Sequence, residues 1–192
     1  AANKLPAAMP VSLPDVSLAV TAAPTDALVD WQLQPSAQDH MQDWAAGWLA
    51  LWTPGEDGAK EALDVFLEAP VAHYSEGRDL PAKRYTSRLS PHLKFGEISP
   101  RQVWAAAQQR KLSAPQWSSA IDKFLAEIGW REFCYQLIDL FDEMPNTPFK
   151  DQFVAFPWDN SEARLEAWQR GQTGYPIVDA GMRELWQTGF MH

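Results

Sequence analysis

The sequence has little of what disulfide-linked, metal-binding or membrane-spanning proteins require. It contains one cysteine, Cys134, so no disulfide can form within the chain and a reducing compartment is expected. His73, His92 and His192 have no nearby partner of the kind that a metal site or a nucleophile needs. No apolar run approaches the length of a membrane span, and the N-terminus lacks a signal pattern. We therefore expect a soluble, cytoplasmic protein with no metal and no hydrolytic chemistry.

The charge of the chain is unevenly distributed. The formal net charge is −9, which at first argues against a nucleic-acid partner. The stretch from Arg78 to Arg131, however, has ten Lys or Arg residues and four Asp or Glu residues, a net charge of +6, and the rest of the chain carries −15. A basic central segment in an otherwise acidic chain is typical of a surface that binds nucleotide phosphates or a DNA backbone. An uneven but solvated helix surface is the alternative.

The hydrophobic pattern predicts an all-α protein. Apolar residues recur at helical spacing over about residues 36–52, 56–67, 100–111, 116–141 and 161–168, and again from residue 176. Ser99 and Pro100 form a clear helix start, and no alternating strand pattern is found. Residues 1–35 are rich in Ala and Pro and are interpreted as an extended connector. We expect a helical bundle over residues 36–192, preceded by that connector.

Ten tryptophans are unusual for this length. Each one is ordinarily a large core anchor, but a group of tryptophans can also stack on flat ligands or carry electrons. Trp158 follows Pro157 in a loop, whereas Trp44 and Trp48 lie at core spacing on a predicted helix. Its place in a loop suggests a role other than packing, with a loop anchor as the alternative.

Residues 86–90 concentrate hydrogen-bond donors. Thr86, Ser87, Arg88 and Ser90 surround Leu89, and Pro91 then marks a helix start. Hydroxyls, a guanidinium and backbone N–H groups are the donors that a diphosphate needs. The alternative is that two of these residues cap a helix and that the arginine lies on the surface without a ligand.

A second motif lies on the longest predicted helix. Glu127 and Arg131 are four residues apart and share a face, with Trp130 three residues after Glu127. An acid, a cation and a flat aromatic group can grip a flat polar ligand, although an ion pair between Glu127 and Arg131 is the simpler interpretation. Gly129, which is unfavourable within a helix, suggests close approach of another group.

The third motif is the run from Gly171 to Ala180, followed by Thr188 to His192. The three motifs, in this order and at this spacing, resemble the FAD-binding helical domain of the DNA photolyase/cryptochrome family. The resemblance runs from about Ser36 to His192 and covers the N-terminal half of that domain. It implies that the family's antenna domain and the C-terminal half of the flavin domain are missing from this chain, so we expect a truncated piece that retains FAD weakly or not at all.

The resemblance assigns roles to individual residues. It implies that Thr86, Ser87, Arg88, Leu89 and Ser90 wrap the diphosphate of FAD and that Tyr74 contacts the flavin. Phe124 lies where many members have a cofactor-contacting Trp. On the substrate side, Arg78 is expected to contact DNA and Glu127 and Trp130 the flipped pyrimidine dimer, with Arg131 on the same surface. Trp158 matches the outermost residue of the family's electron-transfer chain.

The function implied by this resemblance is light-driven repair of damaged DNA. The parent protein would be a deoxyribodipyrimidine photolyase that splits cyclobutane pyrimidine dimers by electron transfer from reduced FAD, and the piece alone would be inactive. A cryptochrome, a blue-light photoreceptor without repair, is the alternative. A helical interaction module with a vestigial pocket is the third possibility.

Overall fold

The computed structural model describes residue 45 and residues 47–192, and within this part the chain is helical with no strand. The boundary expected at residue 35 and most of the helix expected over residues 36–52 lie outside the described residues. The described end of that helix, Trp48–Ala50, is a short 3-10 helix.

The chain divides into two compact units. One combines the described residues up to Trp52 with Ala167–Met191, and the other is Thr53–Glu166. The second unit contains α1 (Glu56–Glu68), α2 (Tyr74–Gly77), α3 (Ser90–Lys94), α4 (Pro100–Ser113) and α5 (Ser118–Leu140). Two further helices follow along the chain, α6 (Glu162–Gln169) and α7 (Pro176–Thr188).

Local capping explains where the long helices begin. The Ser99 hydroxyl accepts a hydrogen bond from the backbone N–H of Gln102, and the Gln102 side chain accepts one from the backbone N–H of Ser99. This capping box, with Pro100 in the first turn, confirms the predicted start of α4. The short helices of residues 70–77 were not predicted, because four residues are too few to show a helical period, whereas α3 confirms the helix start expected at Pro91.

The core of the second unit forms where α5 packs against α2 and α4. The rings of Phe66, Tyr74 and Phe124 meet there, with centroids 4.8–5.7 Å apart. Val71, Leu89 and other apolar side chains close around these rings. Each large apolar side chain that is buried stabilises the fold by roughly 1.5–3 kcal/mol.

Only the first half of α5 is buried in the described structure. Five of its apolar residues are buried in the core: Ala120, Ile121, Phe124, Leu125 and Ile128. Large side chains of its second half, among them Phe133, Tyr135 and Ile138, are exposed. The continuous apolar pattern of the sequence therefore overstated how much of this helix the described core covers.

In the first unit, two tryptophans pack on the end of α7. Gly189 caps the helix in the left-handed region at φ 71°, and a side chain there would meet the ring of Trp48 at 2.9 Å. The indole N–H of Trp52 donates a hydrogen bond to the Thr188 carbonyl at 2.6 Å. A glycine is required here by both the backbone angle and the neighbouring ring.

Asp179 organises the turn that precedes α7. Its buried carboxylate accepts hydrogen bonds from the hydroxyl and the backbone N–H of Thr173 and from the backbone N–H of Gly174, at 2.6, 2.7 and 3.0 Å. The Thr173 hydroxyl is the largest influence that lowers the pKa of this carboxyl, and the two N–H groups add to it. The third sequence motif is thus a turn that an acidic side chain holds together.

Two possible features are missing from the part of the chain that the structure describes. No helix there is both long and apolar enough to cross a membrane. That part also contains no group of three or more His, Cys, Asp or Glu side chains placed to hold a metal ion.

A buried histidine links the end of α3 to the start of α1. The Nδ1 atom of His92 lies 2.5 Å from the Glu97 carboxylate, to which it donates its proton. This hydrogen bond is the main reason that the pKa of Glu97 falls below its ordinary value of 4.5, and the backbone N–H of Gly55 lowers it further.

We predict that Glu97→Gln destabilises the chain by about 1–2 kcal/mol near neutral pH, because a charged hydrogen bond is lost. Since the pKa of Glu97 is depressed in the folded state, its contribution is present above 4.5 and is lost as pH falls through the folded pKa. Urea unfolding of wild type and variant across this range measures the difference.

The control is Glu61→Gln, which changes an exposed carboxylate on α1. It should have little effect at any pH. A difference between wild type and Glu97→Gln that stays constant down to strongly acidic pH would show that the ionised carboxylate is not what stabilises this contact.

Candidate functional site

The five residues Thr86–Ser90, here called the cradle, form a loop that leads into α3. Leu89 is 1% exposed and anchors the loop in the core. Thr86, Ser87 and Arg88 are half-buried and Ser90 is exposed. The backbone N–H of Leu89 lies 3.4 Å from the Ser87 hydroxyl oxygen. One apolar side chain thus fixes the loop while its polar groups stay at or near the surface.

The backbone of the cradle reverses its hand at Arg88. Arg88 has φ +55°, which a residue with a side chain rarely adopts. Leu89 follows with φ −79° and ψ −4°, in the right-handed region. When one residue has left-handed backbone angles and the next has right-handed angles, their backbone N–H groups point to the same side. Loops of this concave shape bind anions. The geometry adds a structural reason to the donor chemistry read from the sequence.

Tyr74 and Phe124 lie in the aromatic cluster of the core. Their rings meet edge to face at 5.5 Å, and both are buried. Burial raises the pKa of the Tyr74 hydroxyl, against the opposing influence of the nearby Arg78 charge. Most of each ring is therefore in contact with protein in this structure, and their expected contact with a flavin remains a prediction.

Arg78 and Glu127 form an ion pair that the sequence did not reveal. The Nη1 atom of Arg78, just after α2, meets the Glu127 carboxylate on α5. This contact with the Glu127 carboxylate is the main cause that raises the pKa of Arg78 above its ordinary value. The Arg78 guanidinium also lies 5.6 Å from the centre of the Tyr74 ring. The two residues expected to touch DNA and dimer separately are thus in contact with each other.

Trp130 offers an open aromatic surface one turn beyond Glu127. It is 61% exposed and its ring meets Phe133 edge to face at 5.7 Å. A side chain added at Gly129 would meet nothing within 4 Å. The space beside this stretch of α5 is open to an incoming flat group, and no atom in the described part of the chain explains the glycine.

Arg131 is engaged with the protein itself. Its guanidinium donates to the Leu93 carbonyl at 3.0 Å and to the Tyr135 hydroxyl at 3.2 Å, and it pairs with Glu132. It thereby joins α5 to α3, next to the cradle. An ion pair between Glu127 and Arg131 was one interpretation of the sequence, and the structure instead pairs these residues with Arg78 and Glu132.

Trp158 lies on the surface of a loop. It is 66% exposed, its backbone N–H donates to the Phe156 carbonyl at 2.8 Å, and its ring lies 4.7 Å from that of Phe156. The structure gives it no contact with the cradle, with Arg78 or with Glu127. Its indole is largely exposed to solvent, and its expected role in electron transfer stays a prediction.

Sequence reasoning missed the contact between Tyr85 and Gly77. A side chain at Gly77 would come within 2.2 Å of the Tyr85 ring, so the ring rests directly on α2. The one signal available was a glycine between Tyr74 and Arg78, and it did not indicate which residue would approach.

Comparison with known proteins identifies the family. The family described as "FAD binding domain of DNA photolyase" matches residues 124–192. The deoxyribodipyrimidine photo-lyase of Agrobacterium fabrum is 54% identical over 142 residues, 74% of this chain and 29% of that protein. A bacterial class III photolyase structure from Agrobacterium tumefaciens superposes with a TM-score of 0.79 at 50% identity, covering 86% of this chain and 33% of that one.

The chain belongs to the DNA photolyase/cryptochrome family. Cryptochromes are also among its relatives: Cryptochrome-1 of Arabidopsis thaliana is 36% identical over 149 residues, 73% of this chain and 21% of that protein. A Synechocystis cryptochrome structure matches with a TM-score of 0.62 at 28% identity, covering 73% of this chain and 29% of that one. This photolyase/cryptochrome chain therefore spans about a third or less of the relatives it matches, and the helical FAD-binding domain is the fold they share.

The reversed backbone at Arg88 gives a prediction about stability. Arg88→Gly should be more stable than Arg88→Ala by about 1 kcal/mol, because glycine adopts a positive φ without steric cost and both variants remove the same charge. Chemical denaturation of the two variants measures the difference.

Arg84 supplies the matched control. It is exposed in the preceding loop, and its φ is not positive. There the order should reverse, with alanine equal to or better than glycine. Equal stability of Arg88→Gly and Arg88→Ala would indicate that the cradle does not depend on the left-handed conformation.

The Arg78–Glu127 pair can be measured by a double-mutant cycle. We expect Arg78→Met and Glu127→Gln to show a coupling free energy of about 0.5–1 kcal/mol, since the two side chains are only 26% and 32% exposed. Unfolding free energies of the wild type, both single variants and the double variant give this quantity.

The exposed pair Arg164–Asp159 provides the comparison, with side chains 81% and 51% exposed. Its coupling should be close to zero, because solvent screens it. The same coupling at both pairs would argue that burial adds nothing to the contact between Arg78 and Glu127.

Proposed function

We propose that the whole protein to which this chain belongs is a deoxyribodipyrimidine photolyase, which binds FAD and splits cyclobutane pyrimidine dimers in DNA under blue light. The observation that carries the proposal is the arrangement of Arg78, just after α2, beside the Glu127 carboxylate and the exposed indole of Trp130 on α5. Support also comes from relatives named deoxyribodipyrimidine photo-lyase, at 54% and 43% identity over about three quarters of the chain.

The cradle fits the diphosphate of FAD. Thr86, Ser87 and Ser90 contribute hydroxyls, Arg88 contributes a cation, and the backbone reversal turns N–H groups to one side. Diphosphate oxygens accept hydrogen bonds from all three kinds of donor. The chemistry expected of bound reduced FAD is light-driven electron donation to the dimer, with return of the electron after the cyclobutane ring opens.

The residues of α2 and α5 would bind the substrate. The exposed face of Trp130 suits stacking on a base turned out of the duplex. The Glu127 carboxylate suits acceptance of a hydrogen bond from a pyrimidine N–H, and Arg78 suits a backbone phosphate. Because Arg78 and Glu127 are paired with each other, a phosphate that draws Arg78 away would also release Glu127 for the base.

Trp158 would supply electrons from the surface. Its indole is largely exposed, as the outer end of such a path requires. Its neighbour Phe156 is also exposed, so the pair lies on the outside of this unit. Because Trp158 lies in a loop, Trp158→Phe should change the supply of electrons without disturbing α3, which follows the cradle, or α5, which carries Glu127.

The second candidate is a blue-light photoreceptor of the cryptochrome type. It is favoured by the relatives named Cryptochrome-1 and Cryptochrome-2 from Arabidopsis thaliana, at 36% and 37% identity. This candidate predicts light-driven reduction of bound flavin without removal of dimers. The presence of Glu127 and Trp130 together favours repair as the primary proposal.

The test is a repair assay on the whole protein purified in the dark, with a duplex that contains one cyclobutane thymine dimer. Wild type should restore the dimer to two thymines only under blue light. Trp158→Phe should strongly slow light-driven reduction of oxidised FAD, yet repair at a near wild-type rate after chemical reduction with dithionite. Transient absorption after a blue flash measures the first property, and the repair assay measures the second.

Trp168→Phe is the control, since it also trims a surface-exposed tryptophan and should change neither property. Photoreduction without repair in the wild type would favour the photoreceptor. Unchanged photoreduction in Trp158→Phe would remove this residue from the electron path.

A further inference from the structure

The ring of Tyr85 packs directly on the backbone of α2. A Cβ atom built on Gly77 would lie 2.2 Å from Cδ2, 2.7 Å from Cγ and 2.8 Å from Cβ of Tyr85. These distances include the stem of the side chain, so the ring could not move aside by rotating its far end. The ring of His73 lies 5.1 Å from that of Tyr85 at an angle of 42°. Glycine at position 77 is what allows so close an approach.

Tyr85 is where the loop after α2 returns to the protein. The six residues from Asp79 to Arg84 are all exposed, whereas Tyr85 and the next three residues are half-buried. The loop turns through hydrogen bonds from Leu80 N–H to the Gly77 carbonyl and from Lys83 N–H to the Leu80 carbonyl. Tyr85 is thus the first side chain to rest on α2 after an exposed stretch, immediately before the cradle begins.

The two ends of the cradle are fixed in different ways. Its far end is anchored by Leu89, which is buried in the core. Its near end follows Tyr85, whose contact is with the same short helix that carries Tyr74 and leads to Arg78. The distance between the diphosphate donors and these two residues therefore depends on how the Tyr85 ring sits on Gly77.

We propose that Tyr85 is a positioning residue whose packing on Gly77 and His73 sets the place of the FAD diphosphate cradle relative to Tyr74 and Arg78. This inference rests on the proposed function, in which the cradle binds FAD. Tyr85 itself needs no contact with the cofactor. Its aromatic ring matters and its hydroxyl does not, because the observed contacts involve ring and stem carbons.

The experiment measures FAD dissociation constants of the whole protein, prepared without flavin and titrated with FAD well below its unfolding temperature. Tyr85→Ser should weaken FAD binding about tenfold, since a loosened supporting contact misplaces several donors at once. Tyr85→Phe should bind within about twofold of wild type, because it retains the ring.

Two further variants separate positioning from general loss of structure. Gly77→Ala places a methyl group on α2 where the Tyr85 ring packs, so it should displace the ring and weaken FAD binding by a similar factor. Combined with Tyr85→Ser it should add little, because both changes remove one contact. Leu80→Ser, in the exposed loop, is the control and should leave FAD binding unchanged. If Tyr85→Ser does not fold, Tyr85→Leu takes its place, with the same direction expected.

The outcomes distinguish this inference from the function on which it rests. A wild-type protein that does not bind FAD would overturn the proposed function and the inference with it. A wild type that binds FAD, beside a folded Tyr85→Ser or Tyr85→Leu with the same dissociation constant, would overturn the inference alone. Weakened binding in Tyr85→Phe would also overturn it, because the hydroxyl would then be the active group.

Discussion

The contact among Phe66, Tyr74 and Phe124 determines where the short helix α2 lies. Four residues cannot form a stable helix by themselves, because a single turn orders more of the chain than its hydrogen bonds repay. Burial of the Tyr74 ring between α1 and α5 supplies the stabilising free energy that the short helix lacks on its own. The positions of Gly77 and Arg78 follow from that burial, because they lie only three and four residues after Tyr74 in the chain.

The position of α2 in turn brings opposite charges together. Arg78 and Glu127 are partly exposed, so their attraction is moderate and the cost of removing them from water is moderate too. A pair of this kind can exchange partners when a phosphate or a base arrives. A fully buried pair would resist that exchange, and a fully exposed pair would not hold the two side chains in place. Arg131 is committed differently, since its bonds to Leu93 and Tyr135 tie α5 to α3.

The cradle combines a strained backbone with a well-packed anchor. A positive φ at Arg88 persists because Leu89 is buried beside it and Tyr85 rests on Gly77 before it. Loops that bind phosphates need their N–H groups oriented before the ligand arrives, since ordering them on binding would reduce affinity. Packing on both sides gives that order without occupying the polar groups of Thr86 and Ser90.

Short-range signals in the sequence predicted the longer helices, the start of α4 and the donor chemistry of residues 86–90. The Ser99 capping box, the period of the first half of α5 and the hydroxyl-rich run at residues 86–90 all act within about four residues of the chain. Their order also sufficed to indicate the family. Such signals are local, so one sequence is enough to read them, and the short helices of residues 70–77 were missed because they contain too few residues to show a period.

Contacts between distant side chains depend on the packing of the whole chain. The ion pair of Arg78 with Glu127 and the packing of Tyr85 on Gly77 join parts of the chain that no local pattern connects. The exposure of Phe133 and Ile138 likewise could not be read from an apolar pattern that is the same whether or not a neighbour covers it. Contacts and burial depend on which segments pack against each other in the folded chain. They are therefore a property of the packed helices and not of any one segment.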